Sequence, residues 1–385
     1  MNSTVCGPIS RNLFRRPLTR PCWTLLLLGL LPCIGFGATP PGRASVVLEG
    51  ATARLVVDLA GGSIGEFRLN ESALNPLNWG TPGPAEQGSR GFGHFLCLDR
   101  WGPPSAAEGA RGMPYHGEAA QVVWRTEEEP HRQAGYLAAQ MQAQLPLAGV
   151  SIRRRLRLSA TVAMGRVQED VTNERALGRV YNSVQHPTIG PPFLDATTVV
   201  DCNGRRGFAQ GNPLPHPEEP SFFWPAALDR DRRSVNLRHL TDTPDPNVVS
   251  YVIDEPLGWV TAATPARGLL IGYVWKTSDY PWVSLWRDVQ GGQPAARGLE
   301  FGTTGLHQPF PILTQVGRIW DRPLVAYLDA GETQTRTYSV FLLKIPADFA
   351  GVERISISGS RLVLRERGGT TPREFSLEAG EELLP

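Results

Sequence analysis

Apolar residues recur at every second position along much of this chain, the pattern of strands with one buried face. Ala53, Leu55, Val57 and Leu59 follow it before Gly61-Gly62 turns the chain into Ile64–Leu69. Val150, Ile152, Leu156 and Leu158 point one way while Ser151, Arg153, Arg155 and Arg157 point the other, so one face is apolar and one basic. The cluster Arg153-Arg154-Arg155-Leu156-Arg157 reads as the solvated face of that strand. Further strands are predicted at 121–125, 166–172, 268–275, 324–328, 335–343, 354–357 and 361–365. No stretch from residue 38 onward holds three turns of helical periodicity. Many short strands parted by turn residues predict an all-β chain, a large antiparallel β-sandwich forming a single domain over residues 38–385.

Composition sharpens this picture. Glycine (41) and proline (34) are spread throughout, which breaks helices and punctuates strands. They concentrate in three loops, 75–93, 102–114 and 207–225, and loops this long on a β scaffold tend to carry function. Residues 1–37 have a different character. Arg11, Arg15, Arg16 and Arg20 stand without an acidic residue, an apolar run covers 23–36, and Gly37 and Ala38 follow as a small-residue exit. That order is the pattern of a cleavable secretory leader. The run contains Pro32 and is shorter than the roughly 20 residues of a bilayer span. The expectation is export to the periplasm or beyond, with no stable membrane span after cleavage.

The charge excludes one class of partner. Basic and acidic residues nearly balance, 38 against 37, and no concentrated basic face marks a nucleic-acid footprint. Cys6, Cys22 and Cys33 lie in the leader, so only Cys97 and Cys202 remain, too few for a disulfide scaffold. They either pair in an oxidising compartment or stand as two buried thiols. No Gly-x-Ser-x-Gly elbow exists to support a serine hydrolase.

Three segments combine ionisable side chains with turn residues: Gly112-Met113-Pro114-Tyr115-His116-Gly117-Glu118, Asn173 followed by Tyr181-Asn182-Ser183-Val184-Gln185-His186-Pro187, and Arg297-Gly298-Leu299-Glu300-Phe301-Gly302-Thr303-Thr304-Gly305. Taken in order with the Gly61-Gly62 opening, they resemble the galactose mutarotase (aldose 1-epimerase) superfamily, over most of the chain from about residue 51 to 343. The resemblance implies a β-supersandwich, no cofactor, a carbohydrate partner and a monomer or weak dimer. It also implies an isomerase that interconverts anomers or epimers of a sugar or sugar derivative by general acid/base catalysis, which the leader places outside the cytoplasm. Opening a hemiacetal ring needs a base for the anomeric hydroxyl and an acid for the ring oxygen, tasks suited to a carboxylate and an imidazole. Carried over by position, Glu300 is the base, His186 the acid, and His116 holds the ring-oxygen side. Base and acid are expected on opposite sides of one sugar ring. Segment 276–288 supplies Asp279, Trp282 and Trp286 as a binding surface, with Arg100, Trp224, Asp99 and Trp101 as further walls. This chain departs from the family pattern: His116-Gly117-Glu118 stands for His-Gly-Gly, and His186-Pro187-Thr188 for His-Ser-Tyr-Phe-Asn. Two other uses of these residues stand beside the first. One is a non-catalytic carbohydrate-binding cleft. The other is a metal site of His116, Glu118 and His186, although no His-x-His or His-Glu-x-x-His spacing accompanies it.

Overall fold

Two large antiparallel sheets face each other, and the period-two strands supply the apolar layer between them. The structure, a computed structural model, describes residues 43–81, 91–239, 243–368 and 372–385. The predicted leader lies outside the described residues. Strand accounts for 51% of the described residues and helix for 5%, so the sandwich expectation stands.

The first sheet runs in the order Ser45–Glu49, Ala53–Asp58, Ile64–Leu69, His94–Asp99, Arg179–Ile189, Gln293–Gly302, Trp282–Gln290, Val248–Val252, Arg206–Ala209 and Ser221–Phe223. Ala326–Leu328 adds to the edge of the Arg179–Ile189 strand. The second sheet runs Val199–Cys202, Leu257–Thr264, Leu269–Lys276, Thr333–Lys344, Met164–Asn173, Val150–Ser159, Tyr136–Leu145 and Arg125–Gln133. Between them lies the main core, where Leu55, Leu96, Ile152, Tyr251, Tyr273, Leu299 and Phe301 interdigitate. On its other side the second sheet packs Leu270, Val274 and Phe341 against a small sheet of Val352–Ser358, Arg361–Glu366 and Glu374–Glu378. Among the described residues no helix is long and apolar enough to cross a membrane.

The structure corrects two sequence expectations. Segment 121–125 is not a strand; the chain turns through 121–122 and pairing begins at Arg125. Arg154 is not on the solvated face. Even-numbered residues of Val150–Ser159 point inward, so Arg154 is buried, paired with Glu169 at 2.7 Å and stacked over Trp124. Arg153 and Arg155 do face outward. Cys97 and Cys202 are both buried and free, which selects the unpaired alternative.

Candidate active site

The outer face of the first sheet, turned away from the partner sheet, carries the site. In the Arg179–Ile189 strand Gln185 points into the sandwich, where it donates to Glu169 at 2.7 Å, so its neighbour His186 must point outward. Phe301 pairs with Gln185, and one step along that pairing brings Glu300 beside His186. Phe95 pairs with His186 on the other side, and the two rings stack 4.2 Å apart. Loops then cover this face. The result is a cavity of about 840 Å³ lined by Glu300, His186, His116, His307, Trp101 and Trp286, among others.

Glu300 is 1% exposed and has two partners. Trp101 Nε1–H donates to its Oε2 at 2.7 Å, and its Oε1 lies 3.3 Å from His186 Nε2. Burial costs the charged form its hydration and pushes the Glu300 carboxyl up to about 8, against the smaller opposing pull of the Trp101 bond. The same desolvation pushes His186 down to about 3. His186 Nδ1 is engaged by the Thr188 hydroxyl at 3.0 Å. At neutral pH the pair therefore holds one titratable proton between carboxyl and imidazole.

His116 arrives from a loop. Its backbone has φ 67°, an uncommon conformation for a residue with a side chain. Gly117 follows at φ 77°, and a Cβ there would stand 2.0 Å from the Leu98 carbonyl, so only glycine lets the loop lie against the sheet. The Gly102 amide donates to His116 Nδ1 at 3.0 Å. An amide can only donate, so the neutral ring carries its proton on Nε2. Burial, then the neighbouring His186 and His307, hold His116 well below the usual imidazole range. The His116 ring stands 5.5 Å from both His186 and His307.

His307 is the residue the sequence reading missed. Its ring lies edge-on to Trp101 at 4.7 Å, its Nε2 meets the Tyr115 hydroxyl at 3.1 Å, and its backbone amide donates to Gln210. Burial pushes it down to about 4. The local sequence Gly305-Leu306-His307-Gln308 carries no chemical motif, so only tertiary placement reveals it. Trp79 and Phe95 were missed as well.

Of the residues expected to bind substrate, Trp286 and Trp101 join Glu300, His186 and His116. Trp282 shares their sheet face but is covered by Gly305, where a Cβ would meet its ring at 2.2 Å, and it packs with Leu306 and Leu313. Arg100 is buried between Asp99 and Glu108, at 2.6 and 2.8 Å, and lines a separate open cavity. Asp279 accepts from the Thr337 amide, away from the site. Trp224 packs edge-on against Tyr251 at 5.4 Å. Asp99 is tied to Arg100 and Arg179, whereas Trp101 does form a wall.

The alternative metal group does not assemble. Glu118 turns away from His116 and accepts from the Leu147 and Ala148 amides, at 3.2 and 2.7 Å. Among the described residues no cluster of three metal-ligating side chains occurs. Glu300 and His186 also do not stand a ring's width apart as expected, since they touch each other.

No protein-family model and no curated protein sequence matches the chain. Solved structures do match its fold. A galactose mutarotase-like protein from Clostridium acetobutylicum is similar with a TM-score of 0.57 and 10% identity, over 79% of this chain and 96% of that one. A galactose mutarotase-like protein from Lactobacillus casei is similar with a TM-score of 0.54 and 13% identity, over 78% and 100%. A galactose mutarotase related enzyme from Lactobacillus acidophilus is similar with a TM-score of 0.54 and 12% identity, over 79% and 98%. The chain thus has the galactose mutarotase-like fold.

Proposed function

We propose that this protein is an aldose 1-epimerase-like enzyme that interconverts the anomers of a reducing sugar by general acid/base catalysis. The observation that carries this reading is the Glu300–His186 contact of 3.3 Å on the floor of a sugar-sized or larger cavity. The anomeric hydroxyl and the ring oxygen are bonded to the same carbon. Groups serving them need stand no farther apart than neighbouring hydrogen-bond partners, and a touching pair suffices.

The protons balance within the pair. A carboxylate beside an imidazolium and a carboxylic acid beside a neutral imidazole are the same protonation state, differing in where one proton sits. Ring opening converts the first into the second: Glu300 takes the anomeric hydroxyl proton while His186 gives one to the ring oxygen. Closure on either face of the carbonyl reverses both transfers and regenerates the starting pair. His116, with its proton on Nε2, is placed to donate to a substrate oxygen. The Trp101 N–H supports the ionised form of Glu300.

Saturation-transfer NMR between α and β anomers of a panel of reducing sugars tests the reading. Exchange well above the uncatalysed rate, dependent on protein concentration, is the expected result. Binding of sugar with no gain in exchange would instead establish a non-catalytic carbohydrate-binding protein. We also propose, from the leader, that the protein works outside the cytoplasm.

A further inference from the structure

Building on the proposed anomer exchange, we infer that the substrate is a neutral glycan of at least two rings, bound with its reducing end on Glu300. The cavity of about 840 Å³ is large for the purpose of one sugar. It lies in the upper part of the roughly 300–1,000 Å³ range that encloses most of a drug-sized ligand, whereas a hexose has only about a dozen non-hydrogen atoms.

The strands provide a ruler for how that space is laid out. Ser250, Ser284 and Glu300 form one rung across three strands, and Val248, Trp286 and Gly298 form the next rung on the same face. Same-face rungs are two residues apart, roughly 7 Å along a strand. Trp286 therefore stands one rung outward from Glu300, about the advance of one ring along a glycan. Its indole is only half-buried, is braced edge-on by Trp79 at 5.5 Å, and lies 6.1 Å from His186. A single hexose with its anomeric carbon on Glu300 fills only part of the cavity, and Trp286 lies toward its outer side. A second ring would stack on Trp286, as flat apolar faces of sugars do on aromatic side chains.

Beyond Trp286 the lining changes from aromatic to polar at Asn247, Asp245, Asp229 and Arg230. The charges here are balanced: Arg230 lies 3.5 Å from Asp245, and Arg233 pairs with Asp229 at 2.9 Å. The paired carboxylates still accept from hydroxyl groups. The rim thus suits an uncharged ring and has no net positive charge to select a sugar phosphate.

The test compares glucose and galactose with maltose, cellobiose, lactose and melibiose, and with glucose 6-phosphate. Anomeric exchange is measured by saturation-transfer NMR and binding by saturation-transfer difference. At least one disaccharide is expected to exceed its reducing-end monosaccharide tenfold in kcat/KM, with its outer ring in contact with protein. Trp286→Ala should bring that ratio close to one, and Trp286→Phe, which keeps a flat face and guards against misfolding, should retain it. Equal kcat/KM for one and two rings, or a preference for glucose 6-phosphate, overturns the inference and leaves anomer exchange intact. If no sugar is exchanged, the proposed activity fails and binding decides. Tenfold tighter binding of a disaccharide then still supports the two-ring site, and equal binding removes it.

Discussion

Glu300 gives up water on every side and receives one N–H bond and one imidazole in return. Its carboxyl, pushed to about 8, makes two outcomes measurable. The first is a pH profile. The working pair needs its single proton, so kcat/KM should fall as pH rises through about 8 and the pair loses it. His186→Asn should lower kcat by roughly 10²–10⁴, the span typical of losing one acid–base group. The second is stability. Folded Glu300 keeps a proton that the unfolded chain releases above its ordinary value of 4.5, so this group makes stability fall as pH rises from 4.5 to 8. The depressed imidazoles of His186, His116 and His307 act oppositely, favouring the folded state as pH rises toward 6.5. Among the site groups only the Glu300 effect remains from 6.5 to 8, worth up to about 2 kcal/mol. Urea titrations across that window should show the decline in the wild type and a flatter response in Glu300→Gln. The sequence singles out Glu300 by its Gly-flanked segment and the family resemblance, but not its burial or its Trp101 partner. Arg100 shows the limit, because a charge beside Trp101 looks like a binding residue until Asp99 and Glu108 are seen to consume it.

Strands of the second sheet were readable where one face meets solvent, as in Val150–Ser159, whose burial alternates residue by residue. The strands that build the site were not. His94–Asp99 is buried at every residue, and Arg179–Ile189 from Tyr181 onward, because loops cover their outer face as the second sheet covers the inner one. A strand buried on both faces loses the alternation that would reveal it. Arg154 departs from expectation for a related reason, since it occupies an inward position that charge ordinarily disfavours. The Arg154–Glu169 pair carries a prediction at this scale. Removing one buried partner strands the other, at a cost of about 3–5 kcal/mol, whereas a well-packed apolar pair can be neutral. Chemical denaturation of Arg154→Ala should show that loss, and the double variant Arg154→Met with Glu169→Leu should recover most of it. Equal stability of Arg154→Ala and wild type would mean that the pair is not buried as described.

For the whole molecule, the sandwich itself followed from spacing and turn residues, and the order of short motifs along the chain pointed to the fold that the solved structures match. Convergence of His116, His186 and Glu300 could not be read from spacing, since it depends on which strands become neighbours. Cell fractionation with N-terminal sequencing should find an exported chain beginning near Ala38; an uncleaved cytoplasmic chain would overturn the proposed localisation. In the proposed reaction one buried carboxylate moves the anomeric proton. This is tested most directly by the anomeric exchange rate of Glu300→Gln, whose amide keeps the shape and a hydrogen bond but takes no proton at the working pH. Exchange at the uncatalysed rate with sugar binding retained is the expected result. A Glu300→Gln protein that exchanges anomers as fast as the wild type would contradict it.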